Sequence, residues 1–254
     1  MTQLMDPSAW SQMFQTFMVE AQTPTYWLAV LQIIWINILL SGDNALVIAM
    51  ACRGLQPRQR LWGMILGAGV AVVLRIAFTG IVATLMTLPY LKIVGGLALL
   101  YIATKMLVPE EPDENETEAV EHLWRAIWIV AVADIIMSLD NVIAIAAAAK
   151  GSMSLLIIGL GISIPLIVAG AALIMALLDK FPILVWAGGA LLGWIAGEVI
   201  ATDPVAAGFI ARQFGAGAMH SVEIATAVVG AVLVLVAGWL WRRSKGAAEA
   251  TQKA

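Results

Sequence analysis

The chain has 254 residues, of which 61% are hydrophobic and 12% charged, and its formal net charge is −3. An ordinary soluble domain has about 45–50% apolar and about 25% charged residues, so a water-soluble enzyme and a nucleic-acid-binding or disordered chain are excluded. The single cysteine, Cys52, excludes an internal disulfide and a thiolate metal centre. The composition predicts an all-α integral membrane protein. We also predict that it is not an enzyme, because no apolar stretch carries a metalloprotease or nucleophile motif.

The first part of the chain, residues 1–23, lacks the basic start of a cleaved signal and is predicted to be an extracytoplasmic segment. A bilayer core about 30 Å thick needs about 20 apolar residues of helix. Seven stretches satisfy this requirement, and we predict them as transmembrane helices: Trp27–Ala51, Leu61–Leu85, Leu91–Leu107, Leu123–Ala148, Leu155–Leu178, Ile183–Ile200 and Val222–Leu240.

An acidic interruption separates the third span from the fourth. Residues Pro109 to His122 include seven acids and two prolines without apolar periodicity, which predicts a flexible linker. The expected organisation is a first three-helix repeat at 24–108, an acidic cytoplasmic linker at 109–122, a second, inverted three-helix repeat at 123–201, a loop and seventh helix at 202–241, and a cytoplasmic tail at 242–254.

Basic residues predict the orientation, because they favour the cytoplasmic side when they lie in short loops. Most of them follow spans one, three, five and seven, which places these ends in the cytoplasm. We therefore predict a multi-pass protein of the cell's inner (plasma) membrane with its N-terminus outside and its C-terminus in the cytoplasm. The residues concerned are Arg53, Arg58, Arg60, Lys105, Lys180, Arg242, Arg243 and Lys245.

Two segments of the chain repeat each other. The stretch NILLSGDNALVIA, residues 37–49, aligns without a gap on DIIMSLDNVIAIA, residues 134–146, at an offset of 97. Further on, Pro89 with Gly95-Gly96 matches Pro182 with Gly188-Gly189 at an offset of 93. Each unit holds three spans, an odd number, so the second unit must enter the membrane from the opposite face. Inverted repeats of this kind are typical of secondary transporters.

Each repeat carries polar side chains in the middle of an apolar span, where they are costly and usually functional. Asp43 and Asp140 each lie ten residues, about 15 Å, from the charged end of their segment, and therefore near the midplane. Three other polar positions in each segment follow i, i+4, i+7 spacing, which forms one stripe on a helix. They are Asn37, Ser41 and Asn44 in the first segment and Asp134, Ser138 and Asn141 in the second.

The aspartates lie about 100° around an intact helix from the neighbouring asparagines. Convergence on one ligand therefore predicts a backbone break near Ser41-Gly42 and another near Ser138-Leu139, with freed carbonyls lining a polar cavity. Carboxylate, amide and hydroxyl oxygens suit magnesium, calcium and manganese ions, and two carboxylates match one divalent ion. A proton is the natural competitor at such a pair.

Asp134 departs from the repeat symmetry, because the equivalent residue is Asn37. We predict it as a candidate proton-coupling residue, and the alternative is a buried counter-charge whose partner is Arg125. Arg75 is predicted to join spans by pairing with Glu198 or Glu223.

The paired segments SGDNALVIA and SLDNVIAI, the three-plus-three-plus-one spans and the acidic central loop resemble the TerC family of integral membrane proteins. This resemblance implies membership of a wider lysine-exporter-like superfamily and, for several bacterial members, manganese efflux. It implies an ion-site role for Asp43, Asn44, Asp140 and Asn141. The family's name comes from tellurite resistance.

The predicted function is export of a divalent cation, Mn²⁺ in the first instance, by a secondary transporter without a resident cofactor. Two alternatives stay open: a transporter for Ca²⁺ or a cationic amino acid, and an assembly or metal-loading partner for other proteins. The expected partners are the metal ion and the lipid bilayer, with a second copy of the chain as a further candidate.

Overall fold

A computed structural model describes residues 17–79, 88–108, 116–149 and 152–252, and these residues form helices and connecting turns without a strand. The helices are α1 (Pro24–Leu39), α2 (Gly42–Cys52), α3 (Pro57–Thr79), α4 (Leu91–Leu107), α5 (Glu116–Ala149), α6 (Met153–Lys180), α7 (Ile183–Ala201), α8 (Pro204–Phe214) and α9 (Met219–Gln252), with a short 3₁₀ turn at Ala216–Ala218.

The helices are long and apolar enough for a multi-pass membrane protein. Four of them qualify as membrane spans by length and composition, over Pro57–Thr79, Met153–Lys180, Ile183–Ala201 and Met219–Lys245. Two bent segments, one formed by α1 with α2 and one within α5, raise the number to six. The third predicted span, Leu91–Leu107, is a helix of 17 residues, or roughly 25 Å.

Large apolar side chains cover the outside of this helix bundle. Five tryptophans that the sequence places at span ends are between 46% and 69% exposed. Such a surface would be unstable in water and is suited to lipid, with the indole rings at the headgroup boundary. These tryptophans are Trp27, Trp62, Trp124, Trp128 and Trp239.

The first predicted break occurs in the structure, and at the second the helix bends but is not interrupted. Helix α1 ends at Leu39, α2 begins at Gly42, and the two axes differ in direction by 57°. Helix α5 bends by 71° between its segments Val120–Ser138 and Asn141–Ala149. Both directional changes fall inside the repeated motif, at the positions where the sequence predicts them.

Two sets of polar contacts join the start of one helix to the end of another, as an inverted repeat predicts. Near the start of α3, Arg60 donates from Nη1 to Asp179 Oδ2 near the end of α6, at 2.8 Å. The backbone N–H groups of Tyr90 and Lys92, at the start of α4, donate to the Asp203 carboxylate just beyond α7, both at 3.2 Å. In both helix pairs the start of one helix therefore lies beside the end of its counterpart.

Helix α9 packs closely on α7 through glycine. A Cβ atom built on Gly193 would lie 2.5 Å from the carbonyl oxygen of Gly230, and one built on Gly197 would overlap the carbonyl of Thr226. Small residues at these positions let the two backbones come into close contact. In lipid, such close packing stabilises a helix pair because no hydrophobic force drives helices together. The helix outside the repeats is thereby attached to the third helix of the second repeat.

The predicted boundaries differ from the structure at three places, and the first is helix α8, which lies at Pro204–Phe214 within the predicted loop. Helix α5 begins at Glu116, so residues 116–122 of the predicted linker are helical, and acidic residues favour a helix N-terminus. Residues 109–115 lie outside the described part of the chain. The predicted tail is helical as far as Gln252, because α9 continues beyond the apolar stretch.

Candidate functional site

A single guanidinium group lies at the centre of the polar residues in the bundle. Arg75, on α3, is 2% exposed. Its Nη2 donates to Asp134 Oδ1 at 2.5 Å and its Nε to Asp134 Oδ2 at 3.3 Å. Its Nη1 donates to Asn37 Oδ1 at 2.5 Å and to Ser41 Oγ at 3.1 Å. Arg75 therefore joins α3 to the first helix of each repeat.

This geometry corrects two predicted ion pairs. Asp134, 3% exposed, pairs with Arg75 and not with Arg125. Arg75 in turn pairs with Asp134 and not with Glu198 or Glu223, and Glu198 accepts a hydrogen bond from Trp194 Nε1 at 2.6 Å. Neither pairing could be read from the sequence, because Arg75 and Asp134 are on helices that meet only after folding.

Asn37 and Ser41 belong to the same buried group. The Ser41 hydroxyl donates to Asn37 Oδ1 at 3.3 Å, as their i, i+4 spacing predicts. Asn37 Nδ2 donates to Ser163 Oγ on α6 at 2.6 Å, and Ser163 donates to the carbonyl of Leu160. We call Arg75, Asp134, Asn37, Ser41 and Ser163 the Arg75 network.

Asp43 lies in the first turn of α2, directly after the break. Its Oδ1 accepts a hydrogen bond from the backbone N–H of Asn44 at 2.8 Å. The first turn of a helix carries a partial positive charge from its free N–H groups, which stabilises a carboxylate there. The break thus gives a partly buried aspartate a favourable electrostatic environment in an apolar span.

Asn44 is the buried polar residue without a partner at this site. It is 5% exposed, and neither Oδ1 nor Nδ2 has a hydrogen-bond partner among the described residues. It lines a small cavity that Arg75 and Asp134 also line. An unpaired buried amide costs about 1–3 kcal/mol, and a ligand bound in this cavity would remove that cost.

In the second repeat, the structure describes the side chains of Ser138 and Asn141. Asn141 Nδ2 donates to the carbonyl of Leu40, which the first break frees, at 3.0 Å. Ser138 is 2% exposed, its hydroxyl has no partner in the described part of the chain, and it lines a separate, largely apolar cavity. The side chain of Asp140 lies outside what the structure describes.

Five of the predicted metal ligands fall into two groups. Asn37, Ser41 and Asp134 are bonded to Arg75, whereas Asp43 and Asn44 lie free of it beside the break. The described side chains contain no cluster of three or more histidines, cysteines, aspartates or glutamates that could hold a metal ion. Side-chain oxygens that make no bond to Arg75 and could bind an ion belong to Asp43, Asn44 and Asn141, and carbonyls near the break could join them.

Sequence reasoning missed Ser163 and Asp203. The signal for Ser163 in the sequence is a polar residue within an apolar stretch, and the structure buries this residue fully. Asp203 is also fully buried and accepts from the backbone of Val205 as well as from the start of α4. The Asp203-Pro204 pair is a typical helix start and predicts that Asp203 caps α8. It does not predict that the same carboxylate also caps α4.

Comparisons with known proteins agree with these observations. The chain is 43% identical over 188 residues to the uncharacterized membrane protein YjbE of Bacillus subtilis (strain 168), covering 74% of this chain and 86% of YjbE. It is 27% identical over 182 residues to the uncharacterized membrane protein YceF of the same organism, covering 68% and 70%. The UPF0053 inner membrane protein YoaE of Escherichia coli (strain K12) is 24% identical over 139 residues, which are 47% of this chain and 27% of YoaE.

No solved structure matches the chain. The model of the integral membrane protein TerC family matches residues 22–246, which include both repeated motifs and all the helices from α1 to α8. The chain belongs to the TerC family of integral membrane proteins.

Proposed function

We propose that this protein is a secondary transporter that exports a divalent metal cation, Mn²⁺ in the first instance, through one site shared by the two Asp-Asn motifs. The ligands are Asp43 and Asn44 from the first repeat and Asp140 and Asn141 from the second. The observation that carries the proposal is the helix break beside Asp43, where a carboxylate and an unpaired amide lie deep in an apolar bundle.

Charge supports a divalent ion. Arg75 and Asp134 neutralise each other, so that in this proposal the charge of the ion site comes from Asp43 and Asp140. Two buried carboxylates without a cation would repel each other, and one divalent ion balances them. Hard oxygen donors without thiolate or imidazole favour manganese, magnesium or calcium over zinc or copper.

The arrangement of the helices supports transport. The antiparallel contacts between α3 and α6 and between α4 and α7 are those expected of an inverted repeat. In such proteins the ion site lies at the repeat interface and is formed by discontinuous helices. The bond from Asn141 to the Leu40 carbonyl joins the second motif to the first break in this manner.

A cationic amino acid is a weaker substrate candidate on the same geometry. It would need a larger polar cavity and a free cation for its carboxylate, whereas the cavity beside Asn44 is small and Arg75 is already paired. An assembly or metal-loading role is the other alternative, and it requires no metal flux.

Flux of Mn²⁺ into everted membrane vesicles separates these alternatives. We expect vesicles with the wild-type protein to accumulate Mn²⁺ and those with Asp43→Asn or Asp140→Asn to lose this activity at equal protein content. Asp179→Asn, a change at a partly exposed aspartate outside the motifs, is the matched control and should retain flux. Equal accumulation in vesicles with and without the wild-type protein would contradict a transport function.

A further inference from the structure

Two of the charged departures from repeat symmetry pair with each other. Asp134 takes the place of Asn37, and the offsets of 97 and 93 place the equivalent of Arg75 within residues 168–172, none of which is charged. One repeat thus has an acid and the other a base where its counterpart is uncharged, and the structure joins them in a buried ion pair. The departures are therefore one feature, and they leave the charge of the centre unchanged.

The groups around Arg75 are those of a cation site. Four of its contacts are made to hard oxygens: both carboxylate oxygens of Asp134, the amide oxygen of Asn37 and the hydroxyl of Ser41. These donor types also suit a small hard cation, and in transporters with broken helices a monovalent ion often occupies such a position beside the substrate. One carboxylate matches one positive charge.

This position adjoins the proposed ion site. Ser41, which bonds to Arg75, lies two residues before Asp43, and Asn44 lines the same small cavity as Arg75 and Asp134. A net charge at one position would consequently alter cation affinity at the other, because electrostatic interactions are strong in a buried environment.

We propose that Arg75 is a tethered monovalent cation. Its guanidinium fills a cation position formed by Asp134, Asn37 and Ser41, so that the adjacent site binds one divalent ion without a Na⁺ or K⁺ co-ion. This inference rests on the proposed function, since it assigns a specificity-determining residue to the same site. It also assigns Asp134 a fixed partner, and a proton on Asp134 would compete with Arg75 for the same oxygens.

Mn²⁺ affinity of the purified protein, measured in NaCl and in N-methylglucamine chloride of equal ionic strength, tests the proposal. The wild type should bind equally well in both salts. The Arg75→Gln variant should bind Mn²⁺ at least roughly tenfold more tightly in NaCl than in N-methylglucamine chloride, because Na⁺ replaces the missing guanidinium. Arg75→Lys, which keeps the charge, and Arg75→Gln with Asp134→Asn, which removes both charges, should not depend on Na⁺.

The single change Asp134→Asn supplies a test that does not depend on the stability of Arg75→Gln. It leaves the arginine uncompensated, so we expect Mn²⁺ affinity to fall by roughly tenfold or more and to recover in the double variant. A proton-carrier role for Asp134 predicts the opposite, namely retained affinity in Asp134→Asn. Retained affinity there, or an Arg75→Gln protein indifferent to Na⁺, would overturn the inference.

The proposed function fails separately from this inference. If the wild type binds no Mn²⁺ in either salt, export of this ion is contradicted. If the wild type binds Mn²⁺ but requires Na⁺, Arg75 does not act as the co-ion, and the proposal of export is unaffected.

Discussion

At the scale of single residues, the sequence predicts which polar groups are buried better than it predicts their partners. The i, i+4 spacing of Asn37 and Ser41 is sufficient to place them together, and the structure does so. Arg75 is on a different helix and has no periodic relation to them. Its position depends on how α3 packs against α1 and α5, and only the folded bundle supplies this information.

Asn44 permits a test that separates binding from stability. Asn44→Ala removes an unpaired buried amide, so the melting temperature in detergent should stay constant or rise. Mn²⁺ affinity should fall by roughly tenfold or more, because loss of even an outer-shell partner costs that much. Asn37→Ala is the control, since it removes bonds to Arg75 and Ser163 and should lower the melting temperature. An Asn44→Ala protein with unchanged Mn²⁺ affinity would remove Asn44 from the site.

At the scale of helices, the break near Gly42 and the bend in α5 are the features that the sequence predicts most specifically. The reason is geometric: an intact helix would keep the aspartates about 100° away from the asparagines. The start of α5 at Glu116 was not predicted, because an acidic composition is shared by solvated linkers and by the first turns of helices.

The direction of the helices yields a labelling prediction. Cysteines at Arg53 and Lys150, which end the two motif segments, should react with impermeant thiol reagents from opposite sides of the membrane. Both cysteines are introduced into a Cys52→Ala background, which removes the buried natural cysteine. This background alone should remain unlabelled. Labelling of both positions from one side would show that the repeats are parallel.

At the scale of the whole molecule, composition alone predicts an all-helical membrane protein, and the structure and the family match agree. The internal repeat predicts how equivalent helices are related, because an odd number of spans in each unit inverts the second. The packing of α9 could not be predicted in this way, since it lies outside the duplication. Its position depends on close contact at Gly193 and Gly197, and many glycines in membrane helices make no such contact.

The central claim is that both repeats hold one ion together. The most direct measurement is the number of Mn²⁺ ions bound per chain by purified wild-type protein and by Asp43→Asn and Asp140→Asn, determined by equilibrium dialysis and metal analysis. A shared site predicts one ion for the wild type and none for either variant, because each carboxylate supplies half of the compensating charge. Two ions in the wild type with one retained in each variant, or one ion in all three proteins, would contradict a shared site.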